Sequence, residues 1–427
     1  MSTDQQDAGP AAIGGSVAPG FEGVRAAFEE NFAQHGDVGA GCAVYVDGRQ
    51  VVDLWGGVAD ATTMAPYTDD TLQLVFSSTK GATALCANLL AQRGELDVDA
   101  PVAEYWPEFA AAGKGEVPVR WLLCHKGGLP YVAEPLTLEQ SLAWGPPTEA
   151  LAAQAPEWSP GTAHGYHAVT YGWLVGEVIR RVSGRSPGEF FADEVAGPLG
   201  LDFWIGLPEG QQARVAPLTN RGLRRARAAA ADASHDGAGM EAEEPKSLTE
   251  TIEELLGPGS LLVKALGGTV DPVTGEGNFT GDGVFNRPEV RAAQIPSANG
   301  VANARSRARM YAATIGTVEG GPSGPLLTPE QLGKACELQT HGADSVLVFP
   351  TTFGLGYMVS SPFSPYGGPE GFGHSGAGGS VGFADPEHGI AFGYVMNRML
   401  ANLSGDPRST GLVKAVYNAV GATPVHV

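Results

Sequence analysis

The sequence predicts an α/β chain of the α+β type, in which an antiparallel sheet is flanked by helices and interrupted by an inserted, mainly helical lobe. Strand patterns lie near both ends, in residues 41–55 and again in residues 381–396. Helical patterns dominate residues 117–207 between them. The two ends of the chain are therefore expected to meet in one sheet, with the helical part inserted into it.

A chain of 427 residues exceeds the usual size of a single core. We expect a flexible tail over residues 1–20, a sheet domain formed by 21–115 plus 291–427, and a mainly helical domain over 116–290. Within the helical domain, residues 221–248 carry clustered arginines, an alanine run and then glutamates. This composition predicts a low-complexity, exposed insertion.

The first elements follow from local patterns. Apolar residues at helical spacing predict a helix over 21–32, and two apolar runs around Asp47-Gly48-Arg49 predict a β-hairpin. Small and apolar residues after Ser77 predict a buried helix that runs to Gln92.

The later elements are predicted in the same way. Ser186-Pro187-Gly188-Glu189 is typical of a helix start with a capping box. Short apolar runs predict strands over 354–359, 381–385 and 390–396, and residues 412–420 predict a closing helix.

Composition excludes several function classes. Hydrophobic residues at 43% and charged residues at 17% are typical of a globular enzyme. The formal net charge of −21 disfavours nucleic acids and anionic membrane surfaces, because both attract basic proteins. Residues 1–20 have neither the basic nor the apolar region of a signal peptide, so a cytoplasmic protein is expected. The four cysteines sit singly in apolar segments and predict buried free thiols.

Ser77-Ser78-Thr79-Lys80 is the most informative stretch. Of the seven lysines, only Lys80 has a serine three residues before it. In a helix these two positions share a face, so the Lys80 amine can lie beside the Ser77 hydroxyl. Burial would lower the pKa of Lys80 and allow it to accept a proton near neutral pH. The free N–H groups at a helix start also suit a developing oxyanion.

Two glycine-rich segments offer further candidates. Tyr166 ends a polar loop just before a helix and can reach a pocket. Residues 371–380 contain His374, Ser375, Gly376 and Ala377 among many glycines, which let backbone N–H groups approach a ligand.

Each candidate has a plainer interpretation. Ser77 could be only a helix cap, Tyr166 a packed aromatic residue, and His374 a hydrogen-bonded loop residue. Gly373-His374-Ser375-Gly376 resembles part of the Gly-x-Ser-x-Gly turn of α/β-hydrolases, which makes Ser375 a rival nucleophile. That match fails at Ala377, and strands rather than a helix are expected after it.

Taken together, these segments resemble the serine β-lactamase and penicillin-binding-protein superfamily, and within it the family VIII carboxylesterases that are similar to class C β-lactamases. The resemblance covers about residues 25–420. Supporting segments are Leu122-Leu123-Cys124-His125, Gly128-Leu129-Pro130, Pro198-Leu199-Gly200-Leu201, Ile295-Pro296-Ser297-Ala298-Asn299-Gly300 and residues 376–386.

The resemblance implies a role for each candidate residue. Ser77 would be the acylated nucleophile, Lys80 its proton acceptor and Tyr166 the proton relay. His374-Ser375-Gly376 falls where β-lactamases carry Lys-Thr-Gly, and the amides of Ser77 and Ala377 would hold the oxyanion. No cofactor is implied. His125, His164 and His167 are not spaced as a metal site with a matching carboxylate, so no metal is expected.

Two departures from the β-lactamase pattern favour neutral esters as small-molecule substrates. Tyr166-His167-Ala168 replaces Tyr-x-Asn, and His374 replaces the lysine of Lys-Thr-Gly. The leading hypothesis is a carboxylesterase that works through an acyl-enzyme. The alternatives are an acyltransferase of the same fold, a D-amino-acid peptidase or amidase with weak β-lactamase activity, and a non-catalytic binding protein.

Overall fold

The computed structural model describes residues 12–220, 248–257, 259–281, 283–400 and 405–425. The insertion predicted at 221–248 lies outside these ranges except for its last residue. The predicted domain boundaries stay predictions.

The strands and helices of the described chain are numbered here in chain order. The strands are β1 Ile13–Val17, β2 Gly39–Val46, β3 Arg49–Asp60, β4 Ala65–Pro66, β5 Gln73–Leu74, β6 Phe203–Trp204, β7 Val301–Ala302, β8 Thr340–Ala343, β9 Pro350–Phe353, β10 Met358–Val359, β11 Phe372–Ser375, β12 Val381–Asp385 and β13 Ile390–Met396. The helices are α1 Glu22–Glu30, α2 Thr79–Gln92, α3 Val102–Tyr105, α4 Val119–Leu123, α5 Leu138–Leu142, α6 Gly145–Ala153, α7 Thr170–Ser183, α8 Pro187–Phe191, α9 Gly197–Leu199, α10 Leu248–Leu256, α11 Leu261–Gly267, α12 Pro288–Ala292, α13 Ala304–Ile315, α14 Pro329–Cys336 and α15 Pro407–Ala419.

The main sheet joins the two ends of the chain, as predicted. Its strands follow the order β1-β3-β2-β13-β12-β11-β10-β9-β8, and neighbouring strands are antiparallel. The contact between the N-terminal and C-terminal parts is the pairing of β2 with β13, in which Val44 lies opposite Phe392. The predicted fold class is confirmed.

Successive residues of β2 point to opposite faces of the sheet, and each face has its own hydrophobic core. Cys42 and Val44 belong to a core shared with α1 and α15, whereas Ala43 and Tyr45 belong to the core that contains α2 and α7. The sheet is therefore covered by helices on both faces, and α2 lies on the face that also carries the helical lobe.

The hairpin predicted around Asp47-Gly48-Arg49 joins β2 to β3. Asp47 and Gly48 have φ angles of 49° and 76°, as the favoured two-residue hairpin turns require. Strands β12 and β13 have the predicted bounds, and Ser186 and Glu189 form the predicted capping box at α8.

The structure differs from the predictions in the expected tail and in the strand predicted over 354–359, and the closing helix begins earlier than predicted, at Pro407. Residues 13–17 of the expected tail form β1, which pairs with β3 at the edge of the sheet. The strand predicted over 354–359 is shorter, because a tight turn at Gly354 joins β9 to β10 and only Met358–Val359 is strand.

The cysteines agree with the prediction of free thiols. Cys42, Cys86 and Cys124 are buried, and Cys336 is half-buried. Within the described ranges, no helix is both long and apolar enough to cross a membrane.

Candidate active site

Ser77 and Lys80 lie side by side at the start of α2. A 3₁₀ turn, Phe76–Ser78, leads directly into the helix. Lys80 Nζ lies 3.2 Å from Ser77 Oγ. The predicted proximity of hydroxyl and amine is therefore present in the folded chain.

The Lys80 amine is fully buried and surrounded by acceptors. It donates to the backbone carbonyls of Ala168, at 2.6 Å, and Ser297, at 3.0 Å. Burial lowers the pKa of Lys80 well below its ordinary value. In its neutral form, the amine has two N–H groups and one lone pair. Since the two carbonyls can only accept, they take the two N–H groups and leave the lone pair for the Ser77 hydroxyl.

Tyr166 completes this group from the loop before α7. Its hydroxyl interacts with the Ser77 side chain, and Lys80 Nζ lies 4.7 Å from the centre of its ring. Burial raises the pKa of Tyr166 above its ordinary value, so the phenol is protonated and can both donate and accept. The structure thus brings the three predicted catalytic side chains together.

The backbone around Ser77 is held in an unusual conformation. Phe76, the preceding residue, has a φ of 46°, a region that large side chains rarely occupy. Two serine hydroxyls tie this turn to β11 and the loop after it: Ser78 Oγ donates to the carbonyl of His374 at 2.9 Å, and Ser380 Oγ donates to that of Val75 at 2.8 Å. Such strain is maintained only where the surroundings fix it, as these bonds do here.

Gly376 and Ala377 of the predicted oxyanion site lie in the loop after β11. The two serine hydrogen bonds hold this loop against the Ser77 turn. Gly376 packs so closely on Val75 that a Cβ atom there would lie 2.2 Å from the Val75 carbonyl oxygen. Ala377 opens the 3₁₀ turn Ala377–Gly379, so its N–H is at the unpaired end of the turn. A side chain at position 376 would therefore push this segment away from Val75.

His374 is buried and points toward Tyr166, with 6.0 Å between the two ring centres. Its Nδ1 lies 2.7 Å from the Ser375 carbonyl, which can only accept, so Nδ1 carries the proton. Its Nε2 is a buried acceptor without a hydrogen-bond partner in the described chain. Burial lowers the pKa of His374 to about 3, so the ring is neutral near pH 7.

Ser375 has a different environment from Ser77. Its hydroxyl lies 3.2 Å from the Tyr366 hydroxyl, and Tyr366 also accepts from the Ser375 N–H. The residue ends β11, and a strand rather than a helix follows. The strand–turn–helix context of an α/β-hydrolase nucleophile is therefore absent around this serine.

Sequence reasoning missed the groups that hold these side chains in place. The carbonyls of Ala168 and Ser297 leave no side-chain signature, and buried Asp344 accepts from the backbone N–H of Tyr166 at 2.9 Å. Both ring nitrogens of His167 are engaged elsewhere, since Nε2 accepts from the Leu129 N–H and Nδ1 donates to the Gly165 carbonyl.

One group of metal-type ligands occurs in the described chain, at the turn between β12 and β13. It consists of Asp385, Glu387 and His388. The Asp385 carboxylate already accepts from the Gly368 N–H and the Tyr417 hydroxyl. It lies at the opposite end of β12 from the loop that carries Ala377.

Known proteins are similar to this chain over nearly its whole length. The pattern that defines the beta-lactamase family matches residues 24–416. The chain belongs to the beta-lactamase family. A curated relative, "Esterase/beta-lactamase LipL" of Mycobacterium tuberculosis, is 36% identical over 94% of this chain and 86% of its own length.

Two solved structures align over 96% of the chain. A family VIII carboxylesterase is 35% identical with a TM-score of 0.78, and all of that chain is covered. EstA from Arthrobacter nitroguajacolicus Rue61a is 33% identical with a TM-score of 0.79, and 99% of it is covered. The predicted resemblance is confirmed, and these relatives are named as esterases.

Proposed function

We propose that the protein is a serine hydrolase that cleaves small carboxylic esters through an acyl-enzyme on Ser77. The observation that carries the proposal is the buried Lys80 amine, 3.2 Å from Ser77 Oγ, with two carbonyls on its N–H groups. An amine held in this way accepts a proton from the serine, and no acidic side chain among the described residues pairs with it to keep it charged. The esterase names of relatives aligned over 94–96% of the chain support the same reaction class.

The proposed steps use the groups of this site in turn. Lys80 takes the Ser77 proton as Oγ attacks the ester carbonyl, and the N–H groups of Ser77 and Ala377 stabilise the oxyanion. Tyr166, which contacts both Ser77 and Lys80, passes the proton to the leaving alcohol. Water then attacks the acyl-enzyme by the same route, and the acid is released.

The acyl-enzyme can be trapped directly. The intact protein, quenched in acid during turnover of p-nitrophenyl butyrate, is expected to gain the mass of one butyryl group, and peptide mapping is expected to place that group on Ser77. A fluorophosphonate should label the same residue. Labelling of Ser375 instead, or no covalent adduct with either reagent, contradicts the proposal.

The neutral ring of His374 favours uncharged esters. Lysine at this position would place an ammonium group where the Nε2 acceptor now lies. We expect His374→Lys to raise the kcat/KM ratio of p-nitrophenyl hemisuccinate to p-nitrophenyl butyrate by about tenfold, since hydrogen bonds to charged groups are worth about 1.5–3 kcal/mol. His374→Gln, which adds no charge, is the matched control and should leave the ratio unchanged. An unchanged ratio in a folded lysine variant would show that residue 374 does not face the substrate.

A further inference from the structure

Asp344 is a buried carboxylate that the proposed mechanism does not use. It lies in the loop between β8 and β9, and its side chain is almost fully buried. Oδ1 accepts from three backbone N–H groups, those of Tyr166 at 2.9 Å, Val346 at 2.8 Å and Leu347 at 2.9 Å. The bonds to Val346 and Leu347 close the turn of its own loop. The bond to Tyr166 crosses to a segment 178 residues away in sequence.

The second carboxylate oxygen extends this link to the residues just before Tyr166. Oδ2 accepts from the Thr351 hydroxyl at 3.0 Å, and His164 Nε2 lies 3.0 Å from the same hydroxyl oxygen. The Thr351 hydroxyl donates its proton to Asp344, so the Thr351 oxygen must accept from His164. Nε2 of His164 therefore carries a hydrogen. The carbonyl of His164 in turn accepts from the Ser345 N–H at 2.9 Å.

Packing reinforces the same contact. Gly165 fits against the Asp344 loop so tightly that a Cβ atom there would lie 2.9 Å from Val346 Cγ2. The Tyr166 ring lies nearly parallel to that of Phe353, the last residue of β9, with 6.3 Å between their centres. The loop and strand after Asp344 thus fix both the backbone and the ring plane of Tyr166.

We propose that Asp344 is a positioning residue that sets the place of the Tyr166 hydroxyl between Ser77 and Lys80. The inference rests on the proposed function, because it assigns Asp344 a part in the same proton relay. Without the carboxylate, the Tyr166 N–H has no partner and the loop can shift. A shift of about 1 Å in a relay group can cost about 100-fold in rate.

The variants Asp344→Ala and Asp344→Asn separate positioning from simple stability. Asparagine keeps an oxygen for the three N–H groups, and its amide can donate to Thr351 while His164 adopts its other tautomer. We expect Asp344→Ala to lower kcat for p-nitrophenyl butyrate by about 10- to 100-fold with KM nearly unchanged, and Asp344→Asn to restore most of that loss. Assays are run well below the melting temperature of each variant.

Asp385→Ala is the matched control for lost stability. Asp385 is also fully buried and closes a turn, where it accepts from the backbone N–H groups of Gly368 and Glu387. Its replacement should lower the melting temperature and leave kcat unchanged.

A double-mutant cycle with Tyr166→Phe decides whether Asp344 acts through the Tyr166 hydroxyl. In the Tyr166→Phe variant, adding Asp344→Ala should lower the rate of Ser77 labelling by a fluorophosphonate less than twofold. The hydroxyl that Asp344 is proposed to position is already absent there. An undiminished effect in the Tyr166→Phe background, or an unchanged kcat in Asp344→Ala alone, overturns the inference. Neither result touches the proposed function, which fails only if Ser77 is not acylated.

Discussion

Replacement of Ser77 by alanine is expected to abolish ester turnover while the protein remains folded. The substitution removes the Oγ atom that lies beside Lys80 and Tyr166, so no acyl-enzyme can form. Loss of a nucleophile that works with its base lowers kcat by roughly 10⁴- to 10⁶-fold. Steady-state kinetics with p-nitrophenyl butyrate, together with circular dichroism and a melting curve, measure both parts of this expectation.

Ser375→Ala is the control for this prediction, because Ser375 is the rival nucleophile in a similar glycine-rich sequence. It contacts Tyr366 rather than a base, so its removal is expected to leave kcat within a few-fold of the original value. Full activity in Ser77→Ala, or loss of activity in a folded Ser375→Ala, would reverse the assignment of the nucleophile.

The sequence allowed much of the sheet to be predicted, because its central strands carry strong local signals. Strands β12 and β13 are apolar or small-residue runs bounded by turns, apart from Asp385 at the end of β12, and all of their residues are buried. Strand β1 could not be predicted in this way. Its two glycines and small residues are typical of a loop, and only pairing with β3 makes it a strand.

In the candidate site, too, contacts between residues close in sequence could be predicted, and contacts between distant segments could not. Ser77 and Lys80 are one helical turn apart, so their proximity is a local property that the spacing reveals. Tyr166 and Ala377 were placed by family resemblance, since their approach to Ser77 depends on tertiary contacts. Asp344 had no signal at all, because its contact with Tyr166 is to a backbone N–H that any residue could supply.

Replacement of Lys80 by methionine is expected to lower kcat by about 1,000-fold or more, because general-base catalysis and activation of the nucleophile are both lost. Methionine fills most of the volume of the buried side chain without an amine. The carbonyls of Ala168 and Ser297 lose their donors, at a cost of about 1–3 kcal/mol each, whereas the cost of burying an amine disappears. The variant should therefore fold.

Lys114→Met is the matched control for this change. Lys114 is also buried and donates to three backbone carbonyls, those of Ala111, Ala152 and Gln154. Its replacement removes a comparable set of hydrogen bonds outside the Ser77 site. A loss of stability with unchanged kcat is expected, so a fall in kcat that is confined to Lys80→Met can be assigned to chemistry.

The pH dependence gives Lys80 a signature that packing cannot imitate. Only the neutral amine accepts the Ser77 proton, so kcat/KM is expected to fall as the pH drops through the pKa of Lys80 in the free enzyme. Burial lowers the pKa of Lys80 well below its ordinary value. The fall of kcat/KM on the acidic side of the pH profile, its acidic limb, should therefore occur at a lower pH than the pKa of a solvated lysine. In Lys80→Met the residual activity has no amine to protonate, and this limb should vanish. A limb that persists unchanged in the methionine variant would assign the proton acceptor to another group.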